Sequence, residues 1–250
     1  MRYLVYSLAV CLLILFGGCG NGDHSFTLKI ITDVDKTEND NQYCRMINSD
    51  QYFYLMDIDQ RNPSKAPLTT CIFREITEMN MSYTSLPISL KKPKLDNPRG
   101  YQIEHSVFRS TLDKEIVDIC KNAKSGLPYS RIFGPLVESL SMLDADKNIL
   151  LLYSDMIERY DENLQFTAKF LKKYPDDEIL EMLEEKYGLS LPDDLSKVEV
   201  YIIYDPGRYR HRVDKNGNKY DTSDLAYSSG QFFSRVLQER GAKVYLRTQL

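Results

Sequence analysis

Histidine is scarce in this chain. His24, His105 and His211 are the only three in 250 residues, and no two stand four apart on a helix. A histidine-built metal centre or proton relay therefore has little to draw on, and none of the three is assigned a catalytic role. No Cys-x-x-Cys occurs among the five cysteines, which argues against a structural zinc site. No Gly-x-Ser-x-Gly, phosphate-binding glycine loop or dinucleotide fingerprint is present. The net charge is only −4 and no basic stripe runs along the sequence, so nucleic acid is excluded as an expected partner. There are no internal repeats and no low-complexity tracts. After the first twenty residues no run is apolar enough to span a bilayer.

The beginning of the chain is informative. "MRYLVYSLAVCLLILFGGCGNGD" places one arginine before an apolar run, Tyr3 to Phe16, followed by Gly17, Gly18 and Cys19. This is the layout of a secretory signal, and its small-small-Cys ending resembles a bacterial lipobox. The resemblance implies a signal peptide over residues 1–18, cleavage before Cys19 and acylation of the Cys19 thiol. The alternative, a plain transmembrane anchor, needs about 20 apolar residues, more than this run supplies. The expected mature protein has a tether over residues 19–25 and one domain over residues 26–250. It would be held to a membrane through lipidated Cys19, in a bacterial cell envelope, facing the periplasm or the surface. Cys44, Cys71 and Cys120 remain. An odd number argues against a full disulfide framework. They are read as small buried hydrophobes, with one disulfide among them left open.

Hydrophobic periodicity gives the order of elements. Phe26 to Asp33 reads as a buried strand. Gln51 to Asp59 and Thr69 to Glu78 read as an antiparallel hairpin with a long loop. "SLPISLKKPKLDNPRG" reads as a proline-punctuated connector. His105 to Lys121 carries a helical stripe of Phe108, Leu112, Ile116 and Cys120. Ser130 to Leu143 carries another, of Ile132, Leu136, Leu140 and Leu143. The unbroken apolar run in Asn148 to Asp155 predicts a strand covered on both faces. A polar helical section follows, about residues 163–187, broken at Tyr174-Pro175. Lys197 to Asp205 is a further central-type strand, and a long polar loop follows it. A helix from about Ser228 to Arg240, stopped by Gly241, leads to the closing strand "AKVYLRTQL". This order predicts an α/β fold: a mostly parallel central sheet with helices on both faces and an antiparallel hairpin. In such sheets ligands collect at the carboxyl ends of strands, which draws attention to Asp33, Asp35, Ser154, Asp155 and Asp205.

The stretch "TLKIITDVDKTEND" admits two functional readings. In the first, Asp35, Thr37 and Asn39 offer alternate oxygens on a turn, and Ser130 and Asp155 complete a shell of the hard oxygen ligands that Mg²⁺ prefers. Here the chain resembles a von Willebrand factor type A domain. That family carries Asp-x-Ser-x-Ser after its first strand, a hydroxyl in a later loop and an Asp after its fourth strand. Asp35 matches the first Asp and Thr37 the first hydroxyl, while Asn39 stands where the second Ser belongs. Ser130 matches the loop hydroxyl, and "LLLYSD" the strand ending in Asp155. "YSDMIE" and "SSGQFFSRVLQERGAKVYL" extend the likeness. The resemblance implies a three-layer, Rossmann-like domain with a metal-dependent adhesion site that binds a protein or surface partner rather than catalysing a reaction. Lys36 and Asn39 depart from the pattern, and no clear stripe in "NDNQYCRMIN" marks the first helix.

The second reading takes "DVDKT", which resembles the Asp-x-Asp-x-Thr motif of haloacid dehalogenase-like phosphatases. It implies Asp33 as nucleophile, Asp35 as general acid/base, Ser154 as a phosphate-contacting hydroxyl, and Mg²⁺. The family's lysine and its downstream acidic pair find no clear match here. Asp205 and Asp214 are not adjacent. Beside both stands a plainer reading, in which Asp33, Asp35 and Thr37 only cap a turn and Ser130 only caps a helix. The protein would then be a structural envelope lipoprotein without metal.

Overall fold

Alternation in Thr27–Asp35 sends Leu28, Ile30 and Val34 to one side of a strand and Ile31 to the other, all fully or nearly buried. That strand, β1, lies inside a sheet covered on both faces. In the computed structural model the described residues are 26–35, 42–57, 66–76, 84–94, 96–121, 131–205, 212–213, 219–220 and 223–250. In chain order β1 is followed by α1 (Gln42–Met46), α2 (Ser49–Leu55), β2 (Leu68–Ile76), β3 (Ile88–Leu90) and α3 (Pro98–Lys121). Then come α4 (Phe133–Ser141), β4 (Lys147–Tyr153), α5 (Ala168–Lys173), α6 (Asp176–Tyr187) and β5 (Val198–Ile203). A two-residue pair, β6 (Arg212–Val213) and β7 (Lys219–Tyr220), precedes α7 (Ser223–Gln238) and β8 (Lys243–Arg247).

The main sheet has the order β3-β2-β1-β4-β5-β8. Every pairing in it is parallel except β2 with β3. On one face α4, α6 and α7 close a core around Leu150, Leu152, Phe133 and Phe232. On the other, α1, α2 and α3 pack over Ile30, Phe73, Leu151 and Tyr153. This is the three-layer α/β architecture expected from the sequence. Among the described residues no helix is long and apolar enough to cross a membrane.

Several boundaries differ from expectation, two in kind. Gln51 to Leu55 belongs to a helix, not to the first strand of a hairpin. The apolar run "YFYLM" suits either period. Asn48 decides it: its side chain accepts from the Gln51 amide at 3.2 Å, and Gln51 Oε1 accepts from the Asn48 amide at 3.1 Å. This capping box nucleates a helix that buries Tyr52 and Leu55, one turn apart. The antiparallel partner of β2 is instead Ile88–Leu90, inside the stretch read as a connector. Helix α3 begins seven residues earlier than expected, at Pro98, a favoured residue for a first turn. Helix α4 begins at Phe133, past Ser130, with Ile132 as its N-cap and no side-chain cap from that residue.

Two of the cysteines are joined. Cys44 in α1 and Cys120 near the end of α3 form a disulfide, their Cα atoms 5.5 Å apart. Cys71 is free and buried, as a small hydrophobe should be, and burial pushes its thiol pKa up. The break at Tyr174-Pro175 is present. At the end of α7 Gly241 adopts φ +91°, the left-handed backbone that glycine enters without strain, and Ala242 donates back to the Leu237 carbonyl.

Candidate functional site

Parallel strands end together, so their carboxyl termini form a rim. Register sets Val34 beside Tyr153, which brings Asp35 of β1 level with Ser154 just after β4. The Ser154 hydroxyl donates to Asp35 Oδ2 at 2.8 Å. The Ser154 backbone amide donates to Ile203 on β5. One residue on, Asp155 Oδ1 accepts the Ile157 amide at 2.9 Å, while Ser154 Oγ accepts the Met156 amide at 3.0 Å. Between them Met156 sits at φ 57°. A left-handed conformation for a non-glycine costs on the order of 1 kcal/mol and persists where surroundings over-determine it. Here two side-chain bonds and complete burial of Met156 do so. Asp35 and Asp155 are 7 % and 8 % exposed, so both carboxylates lie in the floor of the rim rather than on its lip.

The donor set these residues present is oxygen only, two carboxylates and a hydroxyl, and in kind it suits a hard cation. In number it falls short. Among the described residues no group of three His, Cys, Asp or Glu side chains could hold a metal ion. The other expected ligands, Thr37, Asn39 and Ser130, lie outside the described residues, as does Cys19.

Asp33 occupies a different environment. It shares the α4 face of β1 with Asp35 but sits two residues deeper, fully buried. Ser139 of α4 donates its hydroxyl to Asp33 Oδ2 at 2.5 Å, and Asp33 Oδ1 has no hydrogen-bond partner. Arg74, its neighbour in register on β2, is also buried. The guanidinium is directed to Ser139 Oγ and, at 2.9 Å, to Glu138 Oε2, with Nε left unpartnered. Burial pushes the Asp33 pKa up to about 7, opposed by the Arg74 charge and the Ser139 hydroxyl. A carboxylate with no exposed surface cannot reach a substrate phosphorus in this conformation. The nucleophile assigned by the phosphatase resemblance is therefore sealed beneath α4, while its partners Asp35 and Ser154 are joined at the rim.

Glu158 gave no signal in the sequence as a structural residue. It follows "YSDMI" and is fully buried, with three donors on its carboxylate: the Ile132 and Phe133 amides and the Tyr187 hydroxyl, each at 2.8 Å. The first two are orphan donors at the start of α4. Glu158 thus caps α4 at these two amides; Ser130, read as a helix cap, lies outside the described residues. Burial raises its pKa to about 7 against those three bonds. The peptide from Ser154 to Glu158 therefore couples the rim to the head of α4. His105, the one described histidine, packs edge-on to Phe53, its pKa lowered by burial.

The sequence matches no family model and no curated protein. Among solved structures, it is similar to a conserved hypothetical protein, BatB, from Bacteroides thetaiotaomicron, at 11 % identity over 90 % of each chain and a TM-score of 0.32. It is also similar to the human COPII-coat protein Sec24c, at 14 % identity and a TM-score of 0.39. That likeness covers 93 % of this chain and 31 % of Sec24c.

Proposed function

We propose that this chain is a lipid-anchored envelope protein whose type A-like domain binds a protein or surface partner at the carboxyl rim of its sheet. The observation that supports the reading is the arrival of Asp35 and the Ser154–Asp155 pair at the ends of adjacent parallel strands, where the Ser154 hydroxyl donates to Asp35. In this reading Asp35 and Asp155, with Thr37, Asn39 and Ser130, hold Mg²⁺, and a carboxylate from the partner completes the shell. The anchor is the acylated Cys19. The oxygen-only donor set and the held turn at Met156 favour it.

The test is thermal unfolding with and without Mg²⁺. The reading expects Mg²⁺ to raise the midpoint of the wild type but not of Asp155→Ala. No response in the wild type would remove the metal and leave a structural lipoprotein. Turnover of p-nitrophenyl phosphate by the wild type, lost in Asp33→Asn, would overturn the binding reading in favour of the phosphatase.

A further inference from the structure

The opposite end of the sheet carries a different chemistry. All five parallel strands start there, and β3, running the other way, finishes there. Register sets Thr27 beside Leu68, Leu28 beside Lys147, and Thr69 beside Leu90. Between β1, β2 and β3 lies an open cleft of about 600 Å³ with Leu28, Leu68 and Leu90 in its walls. Lys29 and the pair Lys91 and Lys92 stand over it, and the Thr70 and Ser89 hydroxyls line it 3.4 Å apart. Lys91, Lys92 and Lys94 are exposed in the segment that leaves β3. Two acids beside the cleft are engaged locally: Asp144 pairs with Lys29 at 2.8 Å, and Asp146 holds the Thr27 amide and hydroxyl. Phe26, half exposed, sits beside the same cleft, its carbonyl accepting the Leu68 amide.

We infer that this amino-terminal end of the sheet docks on an anionic lipid surface, with Lys91, Lys92 and Lys94 against the phosphate headgroups and Phe26 at the interface. The inference rests on the lipid anchor proposed above. Seven residue steps separate Cys19 from Phe26, a reach of at most about 25 Å. The nine residues of β1 rise roughly 30 Å from that end to the carboxyl rim. The tether is thus shorter than the domain is tall, and the membrane meets the end where β1 begins. Lysines with an apolar side chain are the composition that anionic interfaces attract. The acidic rim is held away from the bilayer, open to a partner. The chain as a whole is net negative, so attraction depends on this separation of charge along the strands.

The test reconstitutes the full acylated chain in vesicles of phosphatidylcholine, alone or mixed with phosphatidylglycerol. Flotation is measured, and lysine acetylation is read by mass spectrometry. Flotation on both vesicle types reports the anchor. Docking expects Lys91, Lys92 and Lys94 to be labelled about fivefold more slowly on the anionic vesicles, with Lys169 and Lys172 unchanged. About 1 M salt should abolish the difference, as should Lys91→Glu with Lys92→Glu, without loss of flotation. Equal labelling on both vesicles, with flotation intact, overturns the docking and leaves the anchor. Flotation on anionic vesicles alone keeps the docking surface and removes the anchor; flotation on neither removes both. Protection of the same lysines by inorganic phosphate without vesicles would make the cleft a soluble-anion site and overturn the membrane assignment.

Discussion

Asp33 makes the stability of this domain depend on pH in an unusual direction. A carboxyl group whose pKa rises from 3.8 unfolded to about 7 folded favours the native state when protonated. Its contribution is complete below about pH 4 and is lost as pH rises through 7. At about 1.4 kcal/mol per pH decade, the span corresponds to on the order of 4 kcal/mol. Glu158 works in the same sense from 4.5 to about 7. The cause at Asp33 is complete burial, only partly offset: its carboxylate receives one hydroxyl, while Arg74, close enough to matter electrostatically, is turned to Ser139 and Glu138. Urea unfolding followed by circular dichroism from pH 5 to pH 8 should show a falling midpoint. Asp33→Asn separates the two acids. Its amide keeps an acceptor for Ser139 but buries an unpaired NH₂ at a cost of about 1–3 kcal/mol, so the variant should be less stable than wild type at pH 5. At pH 8, where the wild type carries a buried charge, the gap should close or reverse. A wild-type midpoint flat across this range, or an Asp33→Asn deficit that does not change with pH, would refute the reasoning.

Three further outcomes follow from packing. Removing the disulfide by Cys44→Ala releases a loop with a sequence separation of 76. In the chain-entropy account this costs about 4.5 kcal/mol, so the variant should unfold at markedly lower urea, and a reductant should affect the wild type alone. Gly134→Ala places a Cβ 2.9 Å from two ring atoms of Tyr187, a ring fixed by Phe133, Tyr160 and the bond to Glu158. Overpacking of about 1–3 kcal/mol should exceed the helix-propensity gain of about 1 kcal/mol, lowering the thermal midpoint. Asn48→Ala removes the capping box of α2 and should cost about 1 kcal/mol, seen as faster amide exchange in Tyr52 to Leu55.

The strands were legible where one signal stood without a rival. The run from Ile149 to Tyr153 admits a buried strand and little else, and alternation predicts that Asp33 and Asp35 share a face. What alternation cannot say is which of the two a helix will cover. Ser139, more than a hundred positions away, seals the first and leaves the second at the rim. Helix α2 was misread because five consecutive large side chains suit a strand as well as a helix turn, and the asparagine cap that decides between them lies outside the apolar run. Glu158 and Arg74 gave no signal because each stands beside an opposite charge, Arg159 and Glu75, and such a pair looks like solvated surface. Their partners lie 25 to 65 residues away, and only the fold brings them inside. The cysteine count left one pairing open without naming it.

The bond between Cys44 and Cys120 also ties the domain to the redox state of its surroundings. Such cross-links persist in oxidising surroundings and are rare where glutathione and thioredoxin keep thiols reduced. A copy held in reducing surroundings would lack its staple, and α1 would then be held to α3 by packing alone. Exposure to an oxidant would restore the staple, so that the strength of the folded domain follows the redox potential around it.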